Sequence, residues 1–289
     1  MNPLSEVGLT CLREMRKNLR SAKGIVMGLL FLLGGGAASL IYMALKALAD
    51  RFSNGQPVPD EQVQALREKL WSGVWNPEIG AYLSHSPLIF VALFKATLWF
   101  IPFMTLMIGF EQIAGDLQHR TIRYTAVRAR RTSIVAGKAL AIWGVVSVLL
   151  LALHMFVWIV TLLRGDATLL QTLSWGPRMW AFSAVFTAAY AGSTILASSL
   201  TRRPVLSLFL GLIMFSFVWV MDVAVDAVHA LDNDKYRWFE NVGFAIPDWY
   251  EVWLVSPRPV EVIGAIIILL AFGVGTTALA AYIVTRRDL

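Results

Sequence analysis

The chain has 289 residues, of which 57% are hydrophobic and 15% are charged, and its formal net charge is +6 at pH 7. About a quarter of the residues of a soluble domain are charged, so this chain has too little polar surface to cover a soluble domain of its size. The composition therefore excludes a soluble globular protein and favours one that spans a membrane.

The first 23 residues predict an amphipathic helix that lies in the membrane interface. At a helical spacing of about 100° per residue, apolar side chains fall on one side and basic side chains fall opposite. Such a helix places its cations near lipid phosphates. The apolar set is Leu4, Val7, Cys11, Leu12, Met15, Leu19 and Ala22, and the basic set is Arg13, Arg16, Lys17 and Arg20. The alternative is an ordinary cytosolic lead-in whose charges only set the topology.

Six apolar runs are long enough to span a bilayer as helices, which takes about 20 residues each. The runs are continuous, whereas strands of a membrane barrel would alternate. They lie at about 24–47, 87–110, 133–163, 177–200, 205–225 and 260–284. The first run, at roughly 22 residues, is too long for a usual signal peptide, so we expect no cleavage. We predict an all-α integral membrane protein in which residues 24–289 form one six-span domain.

The positions of the basic residues predict the orientation, because cytoplasmic loops retain Lys and Arg. With the amino terminus inside, the inner segments hold 15 of the 25 basic residues and 5 of the 19 acidic ones. The net charge is therefore a topology signal and does not indicate nucleic-acid binding. We expect a multi-pass protein of the bacterial cytoplasmic (inner) membrane with both termini in the cytoplasm, in contact with membrane lipid.

Two outer segments are long enough to hold short helices. In residues 47–86, Asp60 can cap a helix whose apolar side chains recur at helical spacing. Residues 226–259 are dense in aromatic side chains, including Trp238, Phe239 and Trp249. We expect this second segment to fold back as a short extracytoplasmic helical hairpin before the sixth span. It serves either as a lid over a pathway or as an aromatic belt.

Charged groups inside spans are costly and are therefore treated as functional hypotheses. Lys95 lies about two turns into the second span. Two interpretations stay open: a contact with substrate in an intramembrane pathway, or snorkelling and pairing with an acid on the outer side. Asp222 and Asp226, followed by His229, suggest an ion-coupled transporter, although solvated residues at the interface would show the same pattern.

No catalytic or nucleotide-binding motif stands out. The nearest match to a phosphate-binding loop, at residues 136–139, lacks the upstream glycine and the Ser or Thr after Lys138. Ser193 lies beside Gly192 in the fourth span, but the sixth span has no histidine that could act as its base. We therefore expect no catalytic residue, no metal site and no cofactor in this chain.

The basic loop between the second and third spans has a specific pattern. It contains Asp116, then Arg120-Thr121-Ile122, then Ala129-Arg130-Arg131, then Gly137-Lys138. This order resembles the permease subunits of ABC exporters of the type-2 class, in which a short coupling helix follows the second span. The chain departs from that family at Arg120, where glycine is usual, and at Ala129, where proline is usual.

The resemblance implies that residues 116–124 dock on an ATP-binding-cassette ATPase subunit, which would bind ATP and Mg. The implied docking residues are Asp116, Leu117, Arg120, Thr121, Ile122 and Tyr124. It also implies a second copy or homologue of the permease, with Gly24 and Gly28 as one hypothesis for the seam. Three alternatives stay open: a basic loop that only contacts phospholipid, a secondary transporter or channel using Lys95, Asp222 and Asp226, and a membrane scaffold that transports nothing.

Overall fold

A computed structural model describes residues 2–52, 60–121, 124, 129–231 and 241–287 of the chain. These residues contain helices and no strand, which confirms the all-α prediction. The elements are α1 (Pro3–Arg20), α2 (Ala22–Phe52), α3 (Asp60–Val74), α4 (Pro77–Leu83), α5 (Leu88–Gly109), α6 (Ala114–Gln118), α7 (Arg131–Leu163), α8 (Leu169–Leu200), α9 (Pro204–Leu231), a 3-10 turn (Pro247–Tyr250), α10 (Glu251–Leu254) and α11 (Pro259–Arg286).

Five described segments are long and apolar enough to cross a membrane, so the chain is a multi-pass membrane protein. They are Leu88–Gln118, Arg131–Leu163, Leu169–Leu200, Pro204–Val225 and Pro259–Arg286. A sixth candidate is the pair formed by α1 and Ala22–Ala37, which bends by 69° between its two helices. The structure thus has five candidate spans, or six if the bent pair is counted as one, and the sequence predicts six.

The fourth predicted span begins earlier than expected. Its helix α8 starts at Leu169, eight residues before Pro177, which was taken as the start and instead lies inside the helix. Thr168 accepts a hydrogen bond from the backbone N–H of Gln171, and the Gln171 side chain accepts one from the backbone of Thr168. This capping box provides hydrogen-bond partners for backbone N–H groups at the start of α8. The connection between α7 and α8 is therefore only residues 164–168.

The core of the bundle forms around α5, α7 and α8, while α9 and α11 bury less of their surface within the chain. The most apolar window of α8 is 72% buried within the chain, compared with 11% for α9 and 17% for α11. A β-carbon on Gly192 of α8 would lie 2.3 Å from the carbonyl oxygen of Gly273 in α11. The absence of a side chain at Gly192 therefore lets these two helices pack backbone to backbone.

The spans run in alternating directions, so the connections gather at two ends. We call the end that carries α1, α6 and residues 201–203 the basic end, and the end that carries α3, α4, α10 and residues 164–168 the aromatic end. At the basic end, Arg131 at the start of α7 donates to the carbonyl oxygens of Thr285 and Arg287, each at 3.1 Å. The prediction that the basic end faces the cytoplasm stays a prediction.

The junction of α1 and α2 explains the two glycines that were assigned to a seam between copies. A β-carbon on Gly24 would lie 2.0 Å from the carbonyl oxygen of Asn18, and one on Gly28 would lie 3.6 Å from Leu149 of α7. Both glycines therefore face atoms of their own chain. Gly24 is needed for the bend between α1 and α2, and the seam hypothesis loses its basis at these positions.

Candidate functional site

The predicted docking segment, 116–124, is not one continuous helix among the described residues. Helix α6 covers Ala114–Gln118, the chain turns at His119 and Arg120, and Thr121 and Tyr124 are helical again. The hydroxyl of Ser198 in α8 accepts hydrogen bonds from the backbone N–H groups of Ile113 and Ala114, each at 3.0 Å. It also donates to the carbonyl oxygen of Phe110 at 2.8 Å. The start of α6 is thereby attached to α8.

A buried lysine connects the same loop to α7 and α1. The side chain of Lys138 is only 3% exposed, and its ammonium lies 2.9 Å from Asp116 Oδ2 and 3.6 Å from Glu14 Oε1. It also donates to the carbonyl oxygen of Gln112 at 2.8 Å, and the Gln112 amide donates to Asn18 Oδ1 at 3.0 Å. We call these five residues the Lys138 cluster. It joins α1, the loop and α7 by charge-assisted contacts.

The acidic side of α1 faces the bundle, which the sequence analysis did not anticipate. Glu6 and Glu14 are both buried, and Glu6 Oε2 accepts from the backbone N–H of Arg130 at 3.1 Å. Leu4 and Leu12, from the predicted apolar side, are exposed. Helix α1 therefore presents its acids to α7 while some of its apolar side chains point outward.

The Gly137-Lys138 pair of the family pattern has a physical explanation in this packing. A β-carbon on Gly137 would lie 2.6 Å from Thr10 Cβ and 2.9 Å from the carbonyl oxygen of Val7. The missing side chain lets α1 pack directly on α7. The next residue, Lys138, then reaches the carboxylates of α1 and α6.

The six predicted docking residues divide into two groups. Asp116 turns inward to Lys138, and Leu117 is buried against the core. Arg120, Thr121 and Tyr124 are exposed, and Thr121 donates to Asp116 Oδ1 at 3.0 Å. Ile122 lies outside the described residues. A docking role stays a prediction for all six residues, and Asp116 and Leu117 also anchor the loop to the bundle.

Arg120 has a φ of 57°, and it is the one described non-glycine residue with a positive φ. It follows the end of α6, where the chain turns through the left-handed region that glycine adopts without steric cost. The glycine that is usual at this position in the resembling family fits the same geometry. The arginine therefore holds a strained conformation on the exposed side of the loop.

A second ionic cluster lies at the aromatic end. The ammonium of Lys95 donates to both carboxylate oxygens of Glu251, at 2.6 and 2.8 Å, and the Trp75 indole N–H donates to Glu251 at 2.6 Å. The hydroxyl of Tyr190 donates to Asp248 Oδ1 at 2.8 Å. We call these five residues the Lys95 cluster. Of the two open interpretations of Lys95, the structure shows pairing with an acid of the outer segment.

Four members of the Lys95 cluster, all except Trp75, line a cavity of about 420 Å³ between α5, α8, α9 and α10. Asp222 also lines it, while the side chains of Asp226 and His229 lie outside the described residues. His154, the other histidine within a span, is buried, and its Nδ1 lies 2.9 Å from the carbonyl oxygen of Leu150. Neither Glu251 nor Asp248 could be selected from the sequence, because each is more than fifty residues from its partner.

Within the described ranges, no group of three or more His, Cys, Asp or Glu side chains could hold a metal ion. The family model described as "ABC-2 family transporter protein" matches residues 11–289. No curated protein sequence matches the chain. The family match covers the two clusters, the loop and the five unbroken candidate spans.

Proposed function

Because the chain belongs to the ABC-2 family of transporter proteins, we propose that it is the permease of an exporter, driven by ATP hydrolysis on a separate subunit. Family membership implies an ABC ATPase subunit as partner. We further propose that the chain carries no catalytic centre and no cofactor of its own, and that ATP and Mg bind to that partner. The basic end then faces the cytoplasm, where ATP is available.

The observation that carries this proposal is the attachment of α6 to three helices. Ser198 holds its start to α8, and Lys138 holds Asp116 to α7. Gln112 extends the same attachment to Asn18 of α1. A partner that pushes on the loop therefore moves the ends of three helices together. Such a movement is what alternating access between two conformations requires.

The Lys138 cluster also provides a way for the loop to move without losing its charge partner. Glu14 lies 3.6 Å from the Lys138 ammonium, slightly beyond the 2.9 Å of Asp116. A small shift of α6 away from α7 would let the ammonium approach Glu14. A buried ammonium without a carboxylate is costly, so the second acid lowers the free energy of the shifted state.

The proposed docking surface consists of Arg120, Thr121 and Tyr124 together with Ile122. The side chain of Tyr124 is 77% exposed. Tyrosine and arginine are enriched among the residues that dominate protein interfaces. We also propose pairing with a second copy or homologue of the permease, since α11 buries little of its surface within the chain.

The test is copurification of the tagged chain with its ABC ATPase subunit, followed by ATPase assays in proteoliposomes. We expect Arg120→Glu and Tyr124→Ala each to lower the amount of bound ATPase subunit by about tenfold. The matched control is Arg202→Glu, which reverses an exposed charge at the same end but outside the loop. We expect this control to bind the ATPase subunit as the parent chain does.

Unchanged binding and unchanged ATPase stimulation in both loop variants would overturn the docking surface. Substrate or ion flux in vesicles that contain this chain and no ATPase would instead support the ion-coupled transporter. A chain that binds the ATPase subunit but never alters its activity would favour the scaffold.

A further inference from the structure

The cavity at the aromatic end has the lining of a ligand site. Ligand pockets combine apolar and aromatic walls with a few convergent polar groups. Here the walls include Trp99 and Trp219, and the polar groups include Lys95, Glu251 and Asp248. The volume of about 420 Å³ lies within the range of small-molecule sites.

The charge of the lining is negative. Apart from Asp222, two carboxylates and one ammonium line the cavity among the described residues, from Asp248, Glu251 and Lys95. The single ammonium already contacts both oxygens of Glu251, so it is not available to an anion without breaking that pair. Asp248 receives its hydrogen bond from Tyr190, a neutral hydroxyl, and keeps its charge uncompensated by that contact.

The outer walls are aromatic rings on the outside of the single chain. Trp99 is 68% exposed and Trp219 is 55% exposed. Indole faces attract cations, most strongly where water is excluded. Apolar molecules that partition into the bilayer therefore reach the cavity from the side, and a positive charge on them is favoured by both the rings and the carboxylates.

We propose that this cavity binds a cationic amphiphile, meaning an apolar or aromatic body that carries one positive charge. Asp248, oriented by Tyr190, is the group that selects for the charge, and Trp99 and Trp219 hold the apolar body. The assignment rests on the proposed function, because it names the class of substrate that the permease would move.

The test uses two probes of nearly equal size and opposite charge, tetraphenylphosphonium and tetraphenylborate. Binding of each to the purified full-length chain in detergent is measured by isothermal titration calorimetry, with empty micelles of the same detergent as the blank. We expect saturable binding of the cation and at least about tenfold weaker binding of the anion.

Two variants locate the binding in this cavity. Asp248→Asn retains an oxygen that accepts from Tyr190 but removes the charge, and we expect about tenfold weaker cation binding. Trp99→Leu alters an exposed ring that contributes little to folding, and we expect about threefold weaker binding. The matched control is Glu261→Gln, an acid at the same end that does not line the cavity, which should bind the cation as the parent chain does.

Equal affinity for the two probes, binding no stronger than that of empty micelles, or unchanged binding in both cavity variants would overturn the proposal. The measurement needs no ATPase subunit. A chain that binds the cation but fails to dock its ATPase partner would therefore contradict the proposed function and leave the cavity assignment intact. The opposite result would contradict the cavity assignment alone.

Discussion

The two ends of the bundle each contain a lysine held by acids that are distant in sequence, but the two lysines differ in exposure. Lys138 at the basic end is 3% exposed, and Lys95 at the aromatic end is 32% exposed. The Lys138 cluster fills the space between three elements, whereas the Lys95 cluster borders a cavity. One ionic cluster thus joins helices, and the other leaves room for a ligand.

This difference indicates what each cluster contributes. A buried ion pair stabilises little relative to apolar packing, but removing one member is strongly destabilising because the other charge stays buried. A partly exposed pair keeps some contact with solvent or lipid headgroups and tolerates change better. Exposure therefore predicts which cluster holds the fold together and which one can be altered to change binding.

The largest expected effect comes from Lys138→Met, which leaves Asp116 and Glu14 without their shared cation. We expect a loss of about 3–5 kcal/mol in the free energy of unfolding, measured by denaturant titration in mixed micelles. The control is Lys17→Met, since Lys17 is 68% exposed and lies 3.8 Å from the same Glu14. Comparable losses in the two variants would show that burial does not distinguish the clusters.

At the aromatic end, Lys95→Met should cost less. Glu251 keeps the hydrogen bond from Trp75, and it lines the cavity, which leaves room for water beside its carboxylate, so we expect a loss of about 1–2 kcal/mol. Arg258→Met is the matched control, because that arginine forms an exposed pair with Glu78 at the same end. Its loss should be smaller than that of Lys95→Met, because an exposed ion pair contributes little to stability. A Lys95→Met loss as large as that of Lys138→Met would contradict the comparison.

The aromatic end should also respond to pH. Burial raises the pKa of Asp248 from 3.8 to about 7, assisted by Asp222 and Glu251 and opposed by Tyr190 and Lys95. The carboxyl is neutral below that pKa and negative above it. Affinity for tetraphenylphosphonium should therefore rise severalfold between about pH 6 and about pH 8, measured by calorimetry. If the affinity of the parent chain depends on pH no more than that of Asp248→Asn, Asp248 does not select for the positive charge.

The smallest expected effect concerns the exposed side of the loop. Arg120→Gly removes the steric strain of a side chain at positive φ. It should stabilise the chain by about 1 kcal/mol, measured by thermal unfolding. Arg120→Ala removes the same charge but keeps a β-carbon, so we expect a change below about 0.5 kcal/mol. Equal shifts in the two variants would attribute the effect to charge and not to backbone strain.

Most of the helices could be predicted from the sequence, because apolar length and basic loops are local signals. The start of α8 was misplaced since Pro177 was taken as the beginning, although Thr168 and Gln171 already show a capping pattern. For α1, Glu6 and Glu14 were counted only as charges, because the apolar side chains suggested that the opposite face was the important one. A periodicity reports which residues share a face and not what that face contacts.

The candidate sites were less predictable than the fold. Asp116 and the Gly137-Lys138 pair were found through the family pattern, but their contact with each other depends on tertiary packing. Lys95 was selected as a charge within a span, whereas its partner Glu251 lies 156 residues further along the chain. Pairings over such distances leave no local pattern, so neither the Lys138 cluster nor the cavity could be derived before the helices were placed.

The packing of α1 has a consequence for the order in which the protein assembles. The Glu6 side chain accepts a hydrogen bond from the backbone of Arg130, 124 residues later in the chain, and Glu14 pairs with the ammonium of Lys138. When α1 leaves the ribosome, neither partner has been synthesised. Helix α1 can therefore form these contacts only after α7 has inserted. Until then we expect α1 to lie at the membrane surface, because its exposed leucines and arginines suit that position. Helix α1 is made before its partners and therefore reaches its final place only after they have been inserted.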